Sequence, residues 1–260
     1  MKRITRPRQE LLVGKRRTTE SNKALGRHLA FIAGAINAGG FMVVQQYTSH
    51  MTGILSLAVD SIALNHWLSA VSMIFYILFF ICGAATTAIM VLYARTFHMY
   101  SQYALPLAFE ALLLIMFGIT NSKYMPQMHL DTFYIIALLC YLMGLQNAVI
   151  TKLSDTAIRT THITGMVTDI GIEIGKLLFF CKKGSAKHTK SNKDKISLHL
   201  SIVLSFLIGG VSGAYGFKYI GFVSVLPLAG YLLFISYMPI RKDFIVWKNL
   251  RKRRRRTTTF

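Results

Sequence analysis

The sequence predicts an all-α fold: a polytopic membrane helical bundle built from two repeats of one unit. Three observations predict it. Composition comes first. Of 260 residues, 53% are hydrophobic and only 15% are Asp, Glu, Lys or Arg, against roughly 25% charged in a soluble domain; mean hydropathy is +0.45. Run length comes second. Residues 68–94 and 197–217 are apolar runs that reach the roughly 20 residues needed to span a bilayer. Repetition comes third. Gly34-Ala35-Ile36-Asn37-Ala38 is answered by Gly144-Leu145-Gln146-Asn147-Ala148. Ser49-His50-Met51-Thr52-Gly53 is answered by Thr161-His162-Ile163-Thr164-Gly165, and Leu105-Pro106-Leu107-Ala108 by Leu226-Pro227-Leu228-Ala229. Three matches in the same order mean a duplicated unit, an architecture common among transporters.

The elements follow in order. A basic cytoplasmic tail occupies 1–27. The first membrane repeat, 28–120, opens with a segment from His28 to Tyr47 whose Gly34, Gly39 and Gly40 allow close packing or a break. A short segment, Met51 to Leu64, follows the first His-x-Thr-Gly. Spans at 68–94 and 104–120 complete the unit. A linker covers 121–131. The second repeat, 132–240, has segments at 132–150, 163–180, 197–217 and 221–238, with a basic cytoplasmic loop at 181–196. A basic tail, 241–260, ends the chain. Pro106 and Pro227 sit near the starts of their spans, where proline fits a first turn.

Charge sets the topology. The net charge is +20, and it is clustered: nine Lys or Arg in 1–27, six in 182–195 and nine in 241–256. Basic clusters beside apolar spans mark the cytoplasmic side, which places both termini there. The tails then lie against anionic lipid; nucleic acid is not expected as a partner. Six spans, with the segments after each His-x-Thr-Gly as short re-entrant or broken helices, put Arg95, Lys152 and Arg159 inside and leave Lys123 and Lys218 outside. Eight full spans put Arg95, Lys152, Arg159 and Lys218 outside. The positive-inside rule favours six, an inverted three-plus-three arrangement, with eight as the alternative. The N-terminus lacks the pattern of a cleavable signal.

Chemistry is sparse. There is no Walker sequence, no His-Glu-x-x-His and no Gly-x-Ser-x-Gly, so no catalytic residue, metal or cofactor is expected and the chain does not read as an enzyme. Cys82, Cys140 and Cys181 lie in or at the end of apolar runs and read as small apolar residues. Gly209-x-x-x-Gly213 and Gly171-x-x-x-Gly175 read as places where helices approach.

Ionisable groups inside a membrane are costly and mark function. Thr52, Ser56 and Asp60 share one helical face, as do Gly165, Asp169 and Glu173. Both units thus set a His-x-Thr-Gly just before a helix bearing acid. Gly53 and Gly165 permit a tight or left-handed turn, and Thr52 and Thr164 can cap free N–H groups. A helix N-terminus can hold an anion, and His50 and His162 can exchange protons near neutral pH. Asp60, Asp169 and Glu173 are candidates to bind a coupling ion or substrate. Asn37, Asn147 and Gln146 are secondary candidates, as is Glu110, a lone acid that is either protonated or paired with another helix. Each has a structural reading beside the functional one. The histidines could bond backbone at the membrane surface, the threonines could be plain caps, the amides could bridge helices, and Asp169, Glu173 and Lys176 could form an interfacial ion cluster.

The phrases from Gly34 to Gly53 and from Gly144 to Gly165 resemble the YoaK-like family of bacterial multi-pass membrane proteins, over about residues 28–238. The resemblance implies a small integral protein of the bacterial inner (cell) membrane, with about six spans and no assigned function. It differs at Asn37, where the family often has Asp, and at Ile54, where it often has Asn. The reading is a small transporter or permease-like protein for a small molecule or ion, with a homodimer as one way to enclose a pore. The alternative is a non-transporting scaffold or sensor acting through its basic tails.

Overall fold

In a computed structural model, residues 12–13, 18–120, 131–153, 161–182 and 186–257 are described. The expected linker, but for its last residue, and much of the 1–27 tail lie outside them. Among the described residues the fold is all helix, without strands. The helices are α1 (Thr19–Val44), α2 (Met51–Ala63), α3 (Trp67–Thr96), α4 (Ala104–Thr120), α5 (Thr132–Leu153), α6 (Ile163–Lys182), α7 (Ala186–Ile220) and α8 (Leu226–Thr257), with a 3₁₀ turn at Gly221–Val225.

Local chemistry explains the boundaries. Thr18 caps α1, its hydroxyl accepting from the Ser21 amide at 3.2 Å, with Glu20 in the first turn. Gln45 ends α1 in the left-handed region, φ 55°, and its N–H returns to the Phe41 carbonyl. Pro106 and Pro227 stand in the first turns of α4 and α8. Gly221, at φ +74°, supplies the bend between α7 and α8.

Four stretches are long and apolar enough to cross a membrane: Glu20–Val44, Trp67–Thr96, Thr132–Lys152 and Asn192–Asn249. The last holds the apolar parts of both α7 and α8. The helix α4 is apolar but shorter, and α2, at 13 residues, extends only about 20 Å. At 20 residues α6 is longer than a half-span, but Asp169, Glu173 and Lys176 interrupt its apolar character. Helix extends into both basic stretches: α7 begins at Ala186, inside the expected 181–196 loop, and α8 runs on through the 241–260 tail to Thr257.

Packing crosses between the halves of the chain. The longest contact of α1 is with α7, and that of α5 is with α3. Glycine makes both possible. A Cβ on Gly34 would strike the Phe206 carbonyl, and one on Gly144 would strike that of Phe80. Gly209 abuts Phe31 in the same way, and Gly83 abuts Tyr141. One notch also carries a bond: Thr87 donates to the Leu145 carbonyl at 2.9 Å. The Gly209-x-x-x-Gly213 expectation therefore describes a real approach, on α1. Gly171 and Gly175 have nothing within 4 Å, so that pair meets no other helix among the described residues. Around these crossings the buried core takes Leu29 and Ile36 from α1, Leu107 and Leu114 from α4, Leu139 and Leu142 from α5, and Leu232 from α8. Large apolar side chains such as Leu68, Ile89 and Leu92 face outward on α3, as lipid-facing positions do.

Candidate functional site

The site grows from two amides. Asn37 stands on α1, and its Oδ1 accepts from the Ser49 amide at 3.1 Å and the Ser49 hydroxyl at 2.9 Å. Asn147 stands on α5, and its Oδ1 accepts from the Thr161 hydroxyl at 2.7 Å. Each amide thus holds the residue just before a histidine. The chain then turns into α2 or α6, so each histidine sits immediately before a helix start.

The glycine of each phrase has a different task from the one expected. Neither Gly53 nor Gly165 has positive φ; Gly221 alone does among the described glycines. Both are helical. The imidazole of His50 folds back over Gly53, its Nδ1 2.5 Å from where a Cβ would stand. The His162 ring covers Gly165 in the same way. Glycine is needed here for close approach, not for an unusual turn. The threonines are likewise not caps. His50 is the N-cap residue of α2, without a side-chain capping bond, and Thr52 is the second helical residue. Thr164 holds the same position in α6.

Both helix starts open on one cavity of about 780 Å³. Among the described residues, most of its wall is made of six pairs from the two halves of the chain. Asn37 is matched by Asn147, Ser49 by Thr161 and His50 by His162; Met51 is matched by Ile163, Thr52 by Thr164 and Phe80 by Phe206. Tyr47 and Thr151 are the other described residues that line the cavity. His50, His162, Thr52 and Thr164 are exposed side chains, and Asn37 is only 7% exposed. Phe80 stands near the middle of α3, so the cavity reaches mid-helix level there, while Tyr47 lies past the end of α1 and Thr151 in the last turn of α5.

The acids lie elsewhere. Asp60 is exposed on the face of α2 opposite Ile54 and Ala58, which are the buried residues of that helix. Asp169 is exposed on α6. Glu173 is buried in an ion cluster, 3.0 Å from Lys176 and 3.7 Å from Lys195 of α7. Glu110 is fully buried on α4, and neither carboxylate oxygen has a hydrogen-bond partner among the described residues. Gln146 is fully buried in α5, again without a partner for its amide. None of these five lines the cavity. Among the described residues no group of three His, Cys, Asp or Glu could hold a metal ion.

Sequence reasoning missed Ser49, Thr161, Phe80 and Phe206. A signal was present: Phe80-x-x-Gly83 recurs as Phe206-x-x-Gly209. Each aromatic faces the cavity, and the glycine one turn on lets its helix approach the opposite unit.

Residues 25–238 match the profile of a family described as a protein of unknown function (DUF1275). No curated protein matches the chain. No solved structure matches it either.

Proposed function

The chain belongs to that family of unknown function, and we propose that it is a small transporter or permease-like protein of the bacterial inner membrane, its path running through the cavity between the two His-x-Thr-Gly helix starts. One observation carries the reading: matched residues from both halves of the chain line a single void that reaches mid-helix level at Phe80. Secondary transporters place substrate at such a junction, on discontinuous helices near the midplane. The crossed packing of α1 on α7 and α5 on α3 supports an inverted pair of three-span repeats, with α2 and α6 as re-entrant pieces and both termini cytoplasmic. The resemblance to YoaK-like proteins agrees with this plan. The residues assigned to the path are His50, Thr52, His162, Thr164, Asn37 and Asn147. Asp60, Asp169 and Glu173 are assigned to the lipid-facing or interfacial surface, and no residue is assigned a catalytic part.

The test compares metabolite content in cells expressing the wild type, the His50→Ala/His162→Ala variant, and the Asp60→Asn/Asp169→Asn variant. The expected result is a solute whose level changes with the wild type and with the Asp variant but not with the His variant. A change abolished by the Asp substitutions alone would move the path away from the cavity. Topology is tested by labelling a cysteine at Tyr124→Cys. Access from outside fits six spans; access from the cytoplasm contradicts them.

A second reading, a scaffold or sensor, has its own support: α8 continues beyond its apolar part as a basic helix to Thr257. Removal of 241–260 is the variant that distinguishes it.

A further inference from the structure

We infer that the cavity selects a small organic anion, one with a carboxylate or phosphate head and an apolar body; the inference rests on the cavity being the ligand site just proposed. Four observations converge. The starts of α2 and α6 both open on the void. Each brings unpaired backbone N–H groups and the positive end of a helix dipole. No Asp, Glu, Lys or Arg is among the described lining residues, so the fixed field they set comes from those two positive ends. Among these residues a cation would meet no countercharge. Asn37 supplies an independent pointer. It is 7% exposed and lines the void, and its Oδ1 is occupied by both Ser49 donors. The amide nitrogen is left as a donor with no partner among the described residues. A donor facing the void beside two helix N-termini suits an acceptor on a ligand. Part of the wall is aromatic, with Phe80 and Phe206 lining the same space. The volume of about 780 Å³ suits a small molecule rather than a bare ion.

The carboxylates that the sequence offered for a coupling cation are outside this space. The site therefore binds by donors and dipoles, with hydroxyls of Thr52 and Thr164 able to turn their protons toward an anionic head.

The experiment uses the full chain purified in zwitterionic detergent, titrated calorimetrically with benzoate, inorganic phosphate and benzylammonium. Benzoate and benzylammonium share an aromatic body and differ in charge. The expected result is binding of benzoate and none of benzylammonium. Two variants place negative charge in the void. Thr52→Asp/Thr164→Asp puts acid at exposed first-turn positions, where it favours a helix start, so folding is not at risk. Asn37→Asp keeps an acceptor for Ser49 and removes the free donor. Each is expected to weaken benzoate binding by at least about tenfold. Preference for benzylammonium in the wild type, no binding of either anion, or benzoate binding unchanged in both variants would overturn the inference. Competition by phosphatidylglycerol would identify a lipid head group as the natural anion; indifference to it would identify a free solute. Either is an anion and keeps the inference. Benzoate binding without solute movement in cells would remove the transport reading and leave the anion site standing. Solute movement without anion binding would do the reverse.

Discussion

Gly53 and Gly34 look alike in the sequence, yet substitution at each meets a different obstacle. A methyl on Gly53 meets the His50 ring, which can swing away on its own side-chain bonds. A methyl on Gly34 or Gly144 meets a backbone carbonyl of another helix, which cannot move without its whole helix. Gly53→Ala and Gly165→Ala are therefore expected to keep the Tm within a few degrees while displacing the imidazoles, read as altered histidine ring signals in NMR. Gly144→Ala is expected to lose about 1–3 kcal/mol through overpacking, read as a lowered Tm. Equal losses at Gly53 and Gly144 would contradict the distinction. Gly175 has open space around it, so Gly175→Ala is expected to be neutral, or to add a few tenths up to about 1 kcal/mol from helix propensity.

Glu110 also belongs to this scale. A fully buried carboxyl without a hydrogen-bond partner among the described residues carries an uncompensated desolvation cost. Glu110→Leu keeps the volume and removes that cost, so it is expected to raise stability by roughly 1–3 kcal/mol. A lowered Tm would show that the carboxyl holds a partner in the membrane.

At the scale of elements, α8 is tied to the turn between α3 and α4. The Tyr100 amide donates to Asp243 Oδ1 at 2.7 Å and the Ser101 amide to Oδ2 at 2.8 Å. Beside this clamp, Arg95 donates to the Tyr103 hydroxyl at 2.7 Å, and that hydroxyl donates to the Lys152 carbonyl at 3.1 Å. Charged acceptors make hydrogen bonds worth about 1.5–3 kcal/mol each when shielded, and less where solvent screens them. Asp243→Ala is expected to free the basic end of α8, read as faster hydrogen exchange at Tyr100 and Ser101. Unchanged exchange there would show that the turn holds itself. The Glu173 cluster is weaker. Its lysines are half exposed, at 47% and 58%, so Glu173→Gln should cost no more than about 1 kcal/mol. With Glu173 outside the cavity, solute movement should be unaffected.

The elements also show why the acids lie outside the cavity. An i, i+4, i+8 pattern says that Thr52, Ser56 and Asp60 share a face, but not which way that face turns. On α2 the buried face belongs to Ile54 and Ala58, so the acid points outward. The basic segments carry a related ambiguity. Clustered Lys and Arg report which side of the membrane a segment lies on, not whether it is helical, and α7 and α8 run straight through theirs.

At the scale of the molecule, the helical membrane class was legible from apolar runs, and the paired phrases from plain comparison of the halves. The cavity was legible as far as the two histidine phrases, because matched polar residues in apolar surroundings stand out. The partner of each helix was not legible. That α1 lies on α7, and α5 on α3, depends on where backbone notches at Gly34, Gly83, Gly144 and Gly209 meet carbonyls, and such notches are short signals among 19 glycines. Phe80 and Phe206 escaped with them, since an aromatic in an apolar run carries no mark until its neighbours are known.

The shared void between the two helix starts is the claim on which the transport reading and the anion reading both stand. Thr52→Cys with Thr164→Cys, in a chain whose own three cysteines have been replaced, tests it directly under a short bis-maleimide. The account predicts one spacer joining both thiols within one chain, read by intact mass and by a linked peptide pair. Two separately capped cysteines, with no linked pair, would contradict it.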